Sequence, residues 1–195
     1  LAVIAGGLSV GIGFGMQTIV NNFLSGLILI FSRTLHEGDV IDVGNLQGVV
    51  RKISVRATTV ETFDNAIIFV PNSEFVSNRL INWTRNGRIV RREVAIGVAY
   101  GTDPKLVERL LVEVAQSVPQ IVRRPQPFVL FMDFADSTLN FVLRYWSDIG
   151  TATDAASAIR HRIVEVFAEH QVEIAFPQLD VHVIPQTPSL TRAEG

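Results

Sequence analysis

The sequence predicts a mixed fold: a membrane-spanning helix, then a small β-barrel unit, then an α/β unit of ferredoxin-like order. Three observations carry this. Residues Leu1 to Ser32 hold no charge, and the first charged side chain is Arg33. Short β-branched runs follow, separated by tight-turn residues. Beyond about Ile89, strand-like and helix-like periods alternate in the order β-α-β-β-α-β, the pattern of a split βαβ unit.

The bulk composition agrees with such a division. Hydrophobic residues make up 48% of the 195 residues, yet charged residues still reach 18%. One very apolar segment attached to ordinary folded units gives both numbers. The net charge of −2 offers no bulk attraction to nucleic acid. There is no cysteine, which excludes disulfides, thiolate metal sites and cysteine nucleophiles. The chain starts at Leu rather than Met, as a piece of a longer protein would.

The first segment, residues 1–36, exceeds the roughly 20 apolar residues that a membrane span needs. A secretory leader would carry a basic start and a shorter apolar core. Gln17, Thr18, Asn21 and Asn22 interrupt the apolar run. The expectation is one helix to about Gln17, a bend, and a second helix to about Leu35. Gly26 lies inside the second helix, where glycine weakens helical structure.

Residues 37–86 read as the β unit. Turn residues at Glu37-Gly38-Asp39, Gly44-Asn45 and Asp64-Asn65 bound strands at Val40–Val43, Leu46–Ile53, Val55–Phe63 and Ala66–Val70. Asn72 is placed to cap a short helix. Short strands with tight turns indicate a small barrel of Sm-like type.

Residues 87–185 read as the α/β unit. "RREVAIGVAYG" is a strand, and "TDPKLVERLLVEVAQSV" a helix with Asp103 as N-cap and Pro104 at its first position. "FVLFMDFA" and "STLNFVLRYWSD" form a hairpin through Asp136-Ser137. "TDAASAIRHRIVEVFAEHQV" is a second amphipathic helix, and a last strand alternates around Gln178–Ile184. The polar tail, residues 186–195, is expected to be disordered.

On a helical wheel at 100° per residue, Val3, Val10 and Phe14 form one narrow ridge. Gly7, Gly11 and Gly15 make a strip on one side of it, and Gly6, Ser9 and Gly13 a strip on the other. Leu1, Ala5, Leu8, Ile12 and Met16 occupy the opposite face. Small residues at four-residue spacing let membrane helices approach closely. Two such strips flanking a bulky ridge fit a closed ring of helices around a pore, with Val10 and Phe14 as stacked apolar collars. The same glycines also fit a single buried helix packed tightly on both sides.

Catalytic and binding alternatives find less support. "GLSVG" fits G-x-S-x-G, but a nucleophile elbow needs a strand before the serine. Ser9 instead follows an apolar, glycine-rich helix, so a serine hydrolase is the weakest reading. "GIGFG" is not a dinucleotide fingerprint. A ring-forming, RNA-binding module is the alternative that a small barrel invites. Its basic clusters would be Arg85, Arg88, Arg91 and Arg92, with Arg51, Lys52 and Arg56, but these also read as solvated faces or salt bridges. His161 and His170 lie on opposite sides of one helix and cannot share a metal. Asp133 and Asp136 read as turn formers, and Asn82-Trp83-Thr84 as a chance sequon. No catalytic residue, metal site or cofactor is expected.

"GFGMQTIVNNFLSGLILIFSRTLHEGDVIDVG", "VPNSEFVSNRLINWT", "GVAYGTD" and "IAFPQLDVHV" together resemble the small-conductance mechanosensitive channel (MscS) family, most of all its larger potassium-dependent MscK-type members. The resemblance covers about Leu1 to Ile184. It implies a homoheptameric channel of the bacterial inner membrane, multi-pass, with cytoplasmic folded domains. Membrane tension would open it and release ions and small osmolytes on hypo-osmotic shock. No nucleic-acid partner is implied. Aligned on Gln17, the family's gate positions fall on Val10 and Phe14, where leucines are typical. Val3 would face the pore above them, and the two small-residue strips would pack against neighbours. The family's kink follows the glutamine, so Gln17 and Thr18 are the expected hinge, with Gly26 a second one. Arg33 would stand at the membrane interface. The last strand would join other subunits in a small barrel.

Overall fold

The structure is a computed structural model that describes residues 2–179; for residues 2–5 and 8 it describes the backbone alone. One helix, α1 (Ala2–Ser32), takes up the apolar segment. Its stretch Ser9–Ser32 is long and apolar enough to cross a membrane. The sequence reading expected two helices here, and the structure has one. The polar residues do not interrupt the backbone ladder, because none of them is proline. Asn22 Nδ2 donates back to Thr18 O at 2.9 Å, a bond made within the helix itself. The helix also stops earlier than expected. Arg33 takes a left-handed φ of 51°, the conformation that ends many helices.

Five strands and a short helix follow: β1 (Val40–Val43), β2 (Leu46–Ile53), β3 (Ala57–Thr62), β4 (Ile67–Pro71), α2 (Asn72–Ser77) and β5 (Leu80–Asn82). They form one sheet in the order β4-β3-β2-β1-β5. Gly44 makes the tight β1–β2 turn with φ 61°. At Gly48 a Cβ would lie 2.5 Å from Glu61 O, so β2 and β3 touch where only hydrogen fits. β5 is a strand the sequence did not reveal, since three residues are too few to show a period. β4 and β5 stand at the two ends of this order. Ile41, Val43, Val50, Val60, Val70 and Phe75 form the core, joined by Leu29 of α1 and by Leu35.

The remaining described stretch forms β6 (Ile89–Val98), α3 (Pro104–Ser117), β7 (Phe128–Phe134), β8 (Leu139–Asp148) and α4 (Ala152–Glu169), with a 3-10 turn at Ile149–Thr151. Its sheet runs β6-β8-β7. Asp103 caps α3 by accepting from Lys105 N at 3.0 Å, with Pro104 behind it, as the sequence indicates. The apolar faces of α3 and α4 bury Phe141, Leu143 and Tyr145 of β8. Val98, the last residue of β6, makes an isolated antiparallel bridge with Ile174. The last expected strand lies mostly outside the described residues, as does the tail.

The chain divides into two compact units at Arg91/Arg92, and Trp146–Thr153 returns to the first unit. The reason is local. Val90 and Ile149 pack with Val40, and Ile149 N donates to Arg88 O at 2.9 Å.

Candidate pore helix and its seat on the β unit

The helix α1 has two halves with different surroundings. From Ser9 to Asn21 every side chain is exposed. Phe14 is 73% exposed and Val10 59%, within a continuous exposed apolar surface of the kind that marks a membrane or protein contact. Val10 and Phe14, with Gly13 and Gln17, line one shallow depression on this surface. A Cβ placed on Gly6, Gly7, Gly11, Gly13 or Gly15 would meet nothing within 4 Å. Both small-residue strips are thus open along the chain's surface. Ser9 sits in mid-helix, in helical backbone, and not on a strand-to-helix turn, which removes the nucleophile-elbow geometry. The side chain of Val3 lies outside the described residues.

From Asn22 onward the helix is seated. Asn22, Ser25, Gly26 and Leu29 are buried on one face. Asn22 Oδ1 accepts from Ser73 N at 3.0 Å. Ser73 is the second residue of α2, whose N-terminal amides lack a capping side chain because Pro71 holds the N-cap position. Asn22 therefore supplies the cap from another helix. Asn72 does not cap α2, contrary to the sequence reading. It is the first residue of α2 and fully buried. Its Oδ1 accepts from Thr58 Oγ1 and its Nδ2 donates to Ser54 O, both at 2.8 Å. This satisfies a carboxamide that would be costly to bury alone.

Gly26 lies directly over that network. A Cβ there would fall inside contact distance of Val55 O and 2.5 Å from Asn72 Nδ2. In this structure Gly26 allows close approach of α1 to Val55 and Asn72. Gln17 and Thr18 stand in continuous helix, just before the seated half begins. Thr58 and the actual roles of Asn22 and Asn72 are what sequence reasoning missed. The available signal was a polar residue in an apolar helix, but its partner is distant in the chain.

The exit of α1 is held by a polar cluster. Arg85 Nη1 donates to Arg33 O at 2.9 Å and lies 3.0 Å from His36 Nδ1. Asp39 Oδ2 accepts from His36 N at 2.9 Å and from Asn82 Nδ2 at 2.7 Å, and its Oδ1 accepts from Thr84 Oγ1 at 3.3 Å. The sequon amide of Asn82 is thereby engaged within the fold. Two other basic residues of these clusters make surface pairs. Arg51 binds Glu61 at 2.5 Å and Arg88 binds Asp148 at 2.9 Å. Hydrogen bonding to these arginines holds both carboxyls below the usual carboxylate range.

Comparison with known proteins identifies the arrangement. Residues 18–85 match the family described as "Mechanosensitive ion channel, beta-domain". Residues 93–174 match "Mechanosensitive ion channel MscS, C-terminal". An uncharacterised MscS family protein of Haemophilus influenzae is 45% identical over 90% of this chain and 16% of its own length. The mechanosensitive channel MscK of Escherichia coli is 39% identical over 92% of this chain and 16% of its own. The chain thus spans about a sixth of these curated relatives. The crystal structure of Helicobacter pylori MscS, described as a closed state, superposes with a TM-score of 0.87 at 26% identity. That match covers 95% of this chain and 73% of the other. The two matched regions take in both folded units and the seated half of α1, and the chain belongs to the mechanosensitive ion channel (MscS) family.

Proposed function

We propose that the chain is the channel core of a tension-gated pore, in which α1 of each subunit lines the conduit. The observation that carries this is the division of α1. Its first half exposes Val10 and Phe14 between two open strips of small residues, while its second half is built into the β core. A ring of such helices buries the strips against neighbours and turns the Val10–Phe14 ridge toward an axis. Stacked apolar collars exclude water until they widen.

The names of the relatives and the likeness to the Helicobacter pylori channel support this reading. In it the assembly is a homoheptamer of a bacterial inner membrane, multi-pass, with the β and α/β units on the cytoplasmic side. Its other partners are the bilayer and the permeating ions and osmolytes. Tension favours whichever state has the larger area in the bilayer. The free half of α1 then tilts or rotates along its strips, bending at Gln17–Thr18 where the seat begins, and Arg33 marks the membrane interface. No step needs covalent chemistry or a cofactor.

The test is reconstitution of the full-length protein in liposomes, with subunit counting and patch recording under suction. The expected result is a sevenfold assembly whose conductance appears only under tension. Correctly assembled oligomers that stay silent up to patch rupture would overturn the reading.

A further inference from the structure

We propose that His36 is a proton-operated latch on the end of α1. The argument begins with donor and acceptor chemistry. Arginine has five N–H donors and no acceptor. The 3.0 Å contact between Arg85 Nη1 and His36 Nδ1 is therefore a hydrogen bond only if Nδ1 carries a lone pair. This geometry fits the neutral imidazole with its proton on Nε2. The second hydrogen of the same Nη1 reaches Arg33 O at 2.9 Å. One nitrogen bridges the imidazole and the carbonyl of Arg33, the residue that follows α1.

That carbonyl belongs to a residue in the left-handed region, with φ 51° and no glycine to ease it. A non-glycine residue held there is strained. The Arg85 bond ties its carbonyl in place.

Protonation of His36 reverses the arrangement. Nδ1 becomes a donor, and two cations then face each other across a hydrogen-bond distance. The new Nδ1–H has an acceptor at hand, since Asp39 Oδ2 is 3.8 Å away. Asp39 can receive it because it is already fixed by Asn82, Thr84 and the His36 amide. The charged and titratable groups that face His36 are Arg85 and Asp39, with Arg33 and Glu37 beside it around the same surface depression. Turning to Asp39 separates His36 from Arg85, and Arg33 O loses the donor that Nη1 shares with the imidazole. The last turn of α1 is released from the segment after β5. Histidine is the side chain whose ordinary titration falls within the physiological range. Acidification on the side of the β unit is the trigger.

Two substitutions separate the states. His36→Gln offers a neutral acceptor to Arg85 and cannot titrate. His36→Arg fixes the charge. In full-length protein in liposomes, hydrogen exchange of the last turn of α1, corrected for intrinsic rates, should rise roughly tenfold between pH 7.5 and 5.5 as one charge-assisted bond is lost. His36→Gln should keep the slow pattern at both pH values, and His36→Arg the fast one. A rise of equal size in wild type and His36→Gln, or none in wild type, overturns the latch. The effect on gating rests on the channel reading given above. Patches should show an opening tension that shifts with pH on the β-unit side in wild type and not in His36→Gln. Absence of any tension-gated current would count against the channel reading, and the exchange experiment would still decide the latch.

Discussion

A methyl group added at Gly26 would press on the carbonyl of Val55 and on the Asn72 carboxamide. Neither can retreat: one is backbone, and the other is held by Thr58 and Ser54. Gly26→Ala should therefore destabilise the seated half of α1 by about 1–3 kcal/mol, despite alanine's higher helix propensity. Gly11→Ala meets nothing within 4 Å and should leave the melting temperature unchanged or raise it. Thermal melts of the two full-length variants in detergent make the comparison, and equal losses would remove the close-approach reading. Tyr145 gives a second test at this scale. It is fully buried in the α/β core, and its hydroxyl has no hydrogen-bond partner among the described residues. Burial also pushes the phenol above its ordinary titration range. Tyr145→Phe removes a desolvated polar group and keeps the ring. It should change stability by less than about 0.5 kcal/mol, or increase it. A loss above about 1 kcal/mol in a chemical-denaturation midpoint would show that the hydroxyl is satisfied.

At the scale of elements, what the sequence revealed depended on how local the cause was. The helix α3 was legible because its cap, its proline and its apolar face all lie within one continuous stretch. The β7–β8 hairpin was legible for the same reason, through Asp136-Ser137. The chain around Asn22 was misread as a bend because a polar residue in an apolar helix has several explanations. Its partner, Ser73, reaches it only through the fold. The strand β5 was invisible, since its pairing with β1 and not its three residues makes it a strand. The 3-10 turn after β8 shows how such a join responds to pH. Asp148 accepts from Arg88 and from Gly150 N, with the arginine bond the larger cause of its lowered pKa. A carboxyl with a depressed folded pKa contributes stability that is present above its unfolded value, near 4. That contribution is lost as pH falls through the folded value. Both side chains are substantially exposed, so solvent screening keeps the effect small. Melting temperatures of wild type should fall more steeply below about pH 4 than those of Asp148→Asn. Parallel curves would show that the pair contributes nothing.

For the whole molecule, the decisive question is which face of α1 looks inward once several copies meet. A single chain leaves Phe14 and Met16 both exposed, at 73% and 48%. Burial in one chain therefore cannot separate the gate from the lipid-facing side. The strips can, because Gly11 and Gly15 flank Phe14 on one side and Gly13 on the other, whereas Met16 lies opposite the ridge. Closing a ring across those strips puts Phe14 at the axis and Met16 outside. The resemblance to the family leads to Phe14 by an independent route, through alignment on Gln17. Phe14→Ser should then hydrate the collar and reduce its preference for the dry state, by at most about 1.5–3 kcal/mol per subunit, the value of burying one such side chain. The opening tension should fall, and some variants of the assembly should conduct at rest. Met16→Ser adds the same hydroxyl two residues away and should leave the opening tension near that of wild type. Patch recordings of both in the same liposomes give the comparison. A shift for Phe14→Ser alone supports the inward ridge; equal shifts, or a shift for Met16→Ser alone, would turn the helix around and move the gate to another face.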